Sequence, residues 1–471
     1  MKIRLGLFEI CARDVAEYCR GELCDVRGGG YTIKYVCTDS READAETLFV
    51  ATRGERVDGH DYILSAIERG CRCILCECIP ENAAGKDAAF VTVKDSIEAF
   101  SLCAKGYRAA RPLYTVAVTG SVGKTTTKEL TASIFKREKR PFATEGNFNS
   151  VIGMPMSLMS VEAECDSAIF EMGMSGFGEI RAMTRAASPD IAMVINIGSS
   201  HLEYLKTRDN IARAKLEIAE GLKKGGTLLL NGDEPLLRRH LKGGDYKILY
   251  IGEGNNCDII IENIKVCDGG TAFDLVLGEK RIESLKIKLI GRQFATNAAF
   301  AVAAAMLSGI GESAIRQGLA DYIPGAMRQN ITVKNGVTVI ADCYNAAPES
   351  MRAAIDTLMA IKCSGKRICV LGDMRELGED SDRMHREIGQ YLALRGVDAL
   401  FTLGASGRLI ADAAMAAGLD KSCVLALEDT EQVDALSSHI KEKMTRGDAI
   451  LFKASRGVAL ERVINLLFKA K

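Results

Sequence analysis

The residues best suited to chemistry form one short run, Gly120-Ser121-Val122-Gly123-Lys124-Thr125-Thr126. Glycines let backbone N–H groups approach an anion closely, a lysine can reach terminal phosphates, and a hydroxyl can ligate Mg²⁺. An apolar β-branched stretch precedes the run and Thr127-Lys128-Glu129 follows it, so the text predicts strand, tight loop, helix. The helix N-terminus would add positive dipole at the anion. The usual nucleotide loop has about four residues between its glycines, whereas Gly120 and Gly123 enclose only Ser121 and Val122. Local text leaves two readings open, a shortened phosphate loop and an ordinary strand-to-helix turn.

Three more residues bear on that choice. Glu171 closes the apolar run Ile169-Phe170, where a carboxylate could hold Mg²⁺ directly or through water, or serve only as a cap or ion-pair partner. His201 is one of five histidines and by itself reads as a structural hydrogen-bonder. Lys215, in Ala212-Arg213-Ala214-Lys215-Leu216, reads as an ordinary helix lysine. The cysteine-dense text at Cys71, Cys73, Cys76 and Cys78 alternates within one short strand instead of showing paired metal-site spacing, so a buried strand is expected there.

The elements that must position these residues alternate. Strands are expected over 115–119, 167–171, 190–196 and 227–231, with helices near 123–137, 177–186 and 207–222. That order predicts a mostly parallel sheet covered on both faces, with ligands beyond the carboxyl ends of its strands. Gly120–Thr126, Glu171, Asn196 and His201 all fall at such ends. Residues 257–290 read as an appended small sheet, and 298–307 as the buried face of a helix. A second α/β sheet is expected after the Pro324-Gly325 pair, with strands near 337–341, 367–371, 398–402 and 447–452. Helices are expected near 348–360, 382–395, 405–417, 429–443 and 456–468. The fold class is thus α/β in three domains: 1–112, 113–324 and 325–471, the boundaries set by Arg111-Pro112 and Pro324-Gly325.

A chain of 471 residues is too long for one core and suits about three domains. A net charge of −1 argues against a nucleic-acid partner, because polyanion binding usually leaves a basic excess. The N-terminus has charges where a signal peptide would be apolar, and no stretch is long enough to span a bilayer. A cytoplasmic monomer with sixteen reduced cysteines is the expectation.

Taken together, the motifs resemble the Mur ligases, the ATP-dependent amide-forming enzymes of peptidoglycan precursor synthesis. The resemblance runs nearly end to end. It covers Asp39-Ser40-Arg41, the stretch 54–61, the loop 120–129, Glu145-Gly146-Asn147-Phe148-Asn149, Glu171-Met172-Gly173, 196–201, Lys215, Gly291-Arg292-Gln293 and Asn297. It continues with Met327-Arg328, Asp342-Cys343-Tyr344-Asn345, 371–378, His385 and Lys453-Ala454-Ser455-Arg456-Gly457.

The resemblance implies an N-terminal domain that binds the UDP-muropeptide, a central P-loop ATPase domain, and a Rossmann-like C-terminal domain that closes on ATP and binds the incoming amine. The substrates it implies are ATP, UDP-N-acetylmuramoyl-tripeptide and D-alanyl-D-alanine, joined through an acyl phosphate. By the same carry-over, Gly120, Ser121, Gly123, Lys124, Thr125 and Thr126 bind ATP phosphates, and Thr125 with Glu171 hold one Mg²⁺. His201 and a carbamylated Lys215 serve a second metal position. Asn297 contacts adenine, Arg328 the phosphates and Asp342 the ribose, while Ser40, Arg41, Asn147, Asn149, Tyr344 and Asn345 are expected at the muropeptide or dipeptide. Ser150, Leu216, Cys343 and Ala454 depart from the family's usual residues. Two alternatives stand beside this reading: the related ligase adding the third amino acid, whose Asp-Asn-Pro-Arg signature is missing here, and a non-catalytic ATP-binding switch.

Overall fold

The computed structural model describes residues 1–25, 30–54, 57–325 and 327–468. Three sheets follow one another along the chain. The first has six strands in the order Lys2–Arg4, Tyr35–Cys37, Thr47–Val50, Cys73–Cys76, Ala89–Thr92, Glu22–Asp25; its inner four are parallel and its edges antiparallel. The Cys73–Cys76 strand is wholly buried, and the Cys71 thiol donates to the Thr47 carbonyl. In this environment cysteine acts as a small hydrophobe. Of the turn-rich stretch 54–61, Glu55 and Arg56 lie outside the described residues.

The central sheet has nine strands. From one edge they are Lys280–Ile287, Gly270–Leu277, Ile259–Cys267, Lys247–Gly252, Thr227–Asn231, Ile191–Val194, Tyr114–Thr119, Ser167–Glu171 and Pro141–Ala143. Tyr114–Thr119 lies between two parallel neighbours reached in opposite directions along the sheet. It is therefore a topological switch point, where a crevice opens beyond the strand ends. Its residues and those of Ser167–Glu171 are almost all buried, as expected for strands covered on both faces.

Residues 257–290 do not form a separate sheet. Ile259 and Ile260 pair in parallel with Ile251 and Gly252, so the antiparallel strands extend the central sheet and make it mixed. The link is the strand Lys247–Gly252, which has no expectation in the sequence reading. In the helix Arg292–Leu307, Ala298 to Ala305 are buried, while Leu307 at the end is exposed. The helix expected over 207–222 breaks instead after Leu216 into a tighter turn, Glu217–Gly221.

The third sheet has six strands, Asn330–Lys334, Val337–Ala341, Ala449–Lys453, Arg367–Gly372, Ala399–Leu403 and Val424–Leu427, parallel except for the first. Among the described residues no helix is long and apolar enough to cross a membrane.

Candidate active site

Gly120-Ser121-Val122-Gly123 leaves the strand Tyr114–Thr119 and enters the helix Lys124–Phe135 through Gly123. Gly123 has φ +81°, and a Cβ there would lie 2.8 Å from the Asn297 amide. A Cβ on Gly120 would sit 2.4 Å from Ile195. Both glycines are thus required by close approach, and Gly123 also by its left-handed backbone.

Asn196, just past the neighbouring strand, braces the loop: its Oδ1 accepts from the Ser121 and Val122 N–H groups at 2.9 Å each, and its Nδ2 donates to Val122 O. The Lys124 ammonium folds back to donate to Gly120 O at 2.9 Å. Desolvation draws its pKa below the usual lysine value; nearby Arg328 adds to this, and Glu171 and Glu376 oppose it.

Glu171 is buried at the end of its strand. One carboxylate oxygen accepts from Thr125 Oγ1 and the other from Asn149 Nδ2, both at 2.7 Å. Hydroxyl and carboxylate oxygens converging beside a phosphate loop are the donor types Mg²⁺ takes, so these residues fit such an ion. Thr126 is buried one position on. Asn297 is buried on its helix and faces Gly123.

The opposite wall comes from the third unit. Arg328 lies over the Tyr344 ring, 4.0 Å from its centre, a cation–π contact. Asp342 pairs with the buried Lys453 ammonium at 2.7 Å and accepts from Gln329 N–H with its other oxygen. Lys453 also donates to Asn345 O at 3.1 Å. The cavity between the walls, about 580 Å³, is lined by Ser121, Lys124, Thr125, Glu171, His201, Asn297, Arg328, Asp342, Tyr344 and Asn345 among others.

Not every residue singled out in the sequence meets there. Lys215 does not line the cavity. It is buried in the last turn of Arg208–Leu216, and among the described residues its amine has no hydrogen bond or ion pair. Burial, with repulsion from Lys124, holds its pKa well below the usual lysine value. Ser40 and Arg41 belong to the first unit, where Arg41 pairs with Asp39, and Asn147 is exposed on the loop before Asn149. None of the three lines the cavity.

Several functional positions carried no role in the sequence reading. They are Gln329, Glu349 and Glu376. Gln329 Nε2 donates to Ile290 O at 2.6 Å and its Oε1 accepts from Ile290 N–H at 3.1 Å, joining the third unit to the central one. Glu349 accepts from Ser199 Oγ at 2.8 Å, and Glu376 lies beside His201. Asn196, expected from its place at a strand end, does join the site; these three depend on contacts between units.

A phosphate loop at a switch point, facing a second α/β unit across one cavity, defines a two-walled nucleotide-dependent enzyme. The chain belongs to the Mur ligase family: it matches the Mur ligase family catalytic domain over residues 32–108, the Mur ligase middle domain over 118–305, and the Mur ligase glutamate ligase domain over 327–456. It is 35% identical to the UDP-N-acetylmuramoyl-tripeptide–D-alanyl-D-alanine ligase of Bacillus subtilis, over 97% of this chain and 98% of that protein. It is 32% identical to the Escherichia coli enzyme of that name, over 98% and 99% of the two chains. The crystal structure of MurF from Acinetobacter baumannii superposes with a TM-score of 0.86 at 27% identity, covering 99% of this chain and all of that one. MurF from Thermotoga maritima, solved in complex with ADP, matches at 0.80 and 28%, over 92% and 97%.

Proposed function

We propose that this chain joins D-alanyl-D-alanine to UDP-N-acetylmuramoyl-tripeptide, using ATP, to make the pentapeptide precursor of peptidoglycan. The observation that carries this reading is the cavity in which Lys124 and the Thr125–Glu171 pair face Arg328 and Asp342 of the third unit. Full-length likeness to ligases of that name supports the choice of substrates.

In the reaction, a carboxylate oxygen of the tripeptide bonds to the γ-phosphorus while the bond to the β-bridging oxygen breaks and ADP leaves. The amine of D-alanyl-D-alanine then attacks the acyl carbon, the C–N bond forms, a proton is lost, and the C–O bond breaks to release phosphate. A carboxylate needs this activation because it is a poor electrophile with a poor leaving group.

The phosphate loop amides and Lys124 bind the β- and γ-phosphates, and Arg328 approaches them from the other wall. Positioned cations of this kind supply most of the catalysis in phosphoryl transfer. Thr125 and Glu171 would hold Mg²⁺, which when bound neutralises charge on the phosphates. Asn297 takes the adenine end, Asp342 the ribose, and Tyr344 and Asn345 the incoming dipeptide. Ser40, Arg41, Asn147 and Asn149 serve the muropeptide. The three units take the roles of muropeptide binding, ATP binding and amine binding in chain order, in a monomer that works in the cytoplasm.

Lys215 is the site of a carbamate. Burial and the nearby Lys124 draw its amine well below the usual lysine pKa, which favours the nitrogen lone pair that can bond to the carbon of CO₂, releasing a proton and converting an amine to an oxygen donor. Lys215→Ala should lose most activity and recover part of it with added short carboxylates; full activity without them would remove the carbamate.

The deciding experiment is product analysis by mass spectrometry. ATP consumption should require both UDP-N-acetylmuramoyl-tripeptide and D-alanyl-D-alanine, with one ADP per pentapeptide. Equal turnover with lysine or diaminopimelate as the amine would favour the ligase that adds the third residue.

A further inference from the structure

His201, which lines the cavity, belongs to the central unit and Glu376 to the third, and the two meet with Nδ1 2.6 Å from Oε2. The two atoms are in ion-pair range, but in this arrangement Nδ1 has no hydrogen-bond partner; catalytic contacts of this kind often tighten only when substrate is bound. Both residues have left-handed backbones, φ +67° and +64°, without being glycine. Such conformations persist only where the surroundings over-determine them, and they cluster at clamps and switches.

The surroundings here come from both units. The Glu203 N–H donates to Glu376 O at 3.2 Å, and Ser199 Oγ donates to Glu349 Oε1 at 2.8 Å. The third unit therefore grips the Ser199–Glu203 turn on both sides of His201. The loop that carries Glu376 is itself held: Met374 N–H donates to Nε2 of the buried His385 at 2.9 Å, and Arg375 N–H donates to Ser455 Oγ at 2.9 Å.

A carboxylate on one imidazole nitrogen sets the tautomer and orientation of the ring. With the proton on Nδ1, the lone pair is left on Nε2. We infer that Glu376 is a positioning residue for His201, holding Nδ1 so that Nε2 is the free acceptor of a side chain lining the reaction cavity. Because the pair spans two units, His201 is set for reaction only while the third unit is packed on the central one. ATP turnover is thereby coupled to arrival of the wall that brings the amine. The inference rests on the ligase reading for the reaction it serves, but the contact itself does not.

The test combines a spectroscopic and a kinetic measurement on the full chain. With ¹⁵N-labelled histidine, the His201 signals, identified by their loss in His201→Asn, should show the Nδ1–H tautomer in the unmodified protein and lose it in Glu376→Ala. Glu376→Ala should lower kcat about 10–100-fold and leave KM for ATP within about threefold, while Glu376→Gln, which keeps an acceptor oxygen, should retain most of kcat. In a His201→Ala background, Glu376→Ala should cause no further loss. Should Glu376→Ala fail to fold, Glu376→Asp, whose carboxylate is too short to keep the contact, should show the same tautomer loss. An unchanged tautomer in the variant that folds, or losses that multiply in the double variant, would overturn the positioning role. Absence of pentapeptide product from the unmodified protein would overturn the ligase reading instead, and leave the tautomer result standing.

Discussion

The central unit meets its two neighbours in different ways. On the first-unit side, the helix Ser96–Ala109 packs against the helices Gly153–Ser160 and Glu179–Ala187. Phe100, Cys103 and Ala104 from one unit and Met156, Met159 and Met183 from the other are buried in one continuous apolar core. On the third-unit side that apolar core continues into Ala354, Leu358 and Leu377, and the contacts around the cavity add polar ones: Gln329 and Thr357 on Ile290, Glu349 on Ser199, Glu376 beside His201. Apolar area removed from water is lost if units separate, whereas hydrogen bonds between units can be exchanged for bonds to water. The first contact suits a fixed joint. The second suits one that opens and reforms as substrates pass.

The largest effect that bears on this contrast is chemical. Lys124→Ala should lower turnover by about 10²–10³-fold, the loss typical of removing one preorganised charge-stabilising group. Calorimetric titration with UDP-muropeptide should change little if, as proposed, the first unit binds it; loss of both would mean that the two sides of the central unit are not separable.

Phe100→Ala tests the fixed joint. Emptying a fully buried aromatic site should destabilise by about 3–5 kcal/mol, read as a lower urea midpoint, while the fraction that remains folded keeps its kcat. A lowered kcat with an unchanged midpoint would reverse the assignment of the two joints.

Gln329→Ala tests the exchangeable joint. It leaves the Ile290 N–H without its partner and the Ile290 C=O with Thr357 alone, at a cost of about 1–3 kcal/mol, and should weaken docking of the third unit. Small-angle scattering should show a larger radius of gyration, and kcat should fall without loss of the first unit's stability.

The smallest effect concerns pH. His385 is buried and accepts from Met374 N–H with Nε2, so burial holds its pKa below the usual 6.5. The unfolded chain takes up a proton near that value and the folded one resists it until lower pH, so stability is full above pH 6.5 and declines as pH falls through the depressed value. His385→Gln should flatten that acid-side decline in a denaturation series; an unaltered slope would mean that His385 does not contribute to it.

Much of the site was legible because phosphate binding is local. Gly120 to Thr126 lie within one loop, so the glycines, lysine and hydroxyl that phosphate chemistry asks for stand together in the text, although what crowds Gly123 and accepts from Thr125, namely Asn297 and Glu171, is distant in the chain. Ser167–Glu171 and Val337–Ala341 were readable as continuous apolar runs, since parallel strands are buried on both faces. Among the strands that went unread, Pro141–Ala143, Asn330–Lys334 and Val424–Leu427 are edge strands and only partly buried, and Lys247–Gly252, inside the central sheet, is partly buried as well. One unpaired edge leaves a weak apolar pattern, so local text could not separate them from loops. The union of 257–290 with the central sheet was hidden for another reason: pairing of Ile259 with Ile251 is a matter of register between strands.

By itself, then, the amino-acid sequence determined the phosphate loop, the alternation of strands and helices, and the order of three α/β units, because each depends on residues close together in the chain. Only the tertiary structure decided that Glu171 shares its carboxylate between Thr125 and Asn149, that Lys215 is sealed away from the cavity without a partner, and that Glu376 reaches His201. Those facts arise from side chains dozens to hundreds of residues apart, brought together by burial and by packing between units, and no local pattern encodes a distance across such a gap.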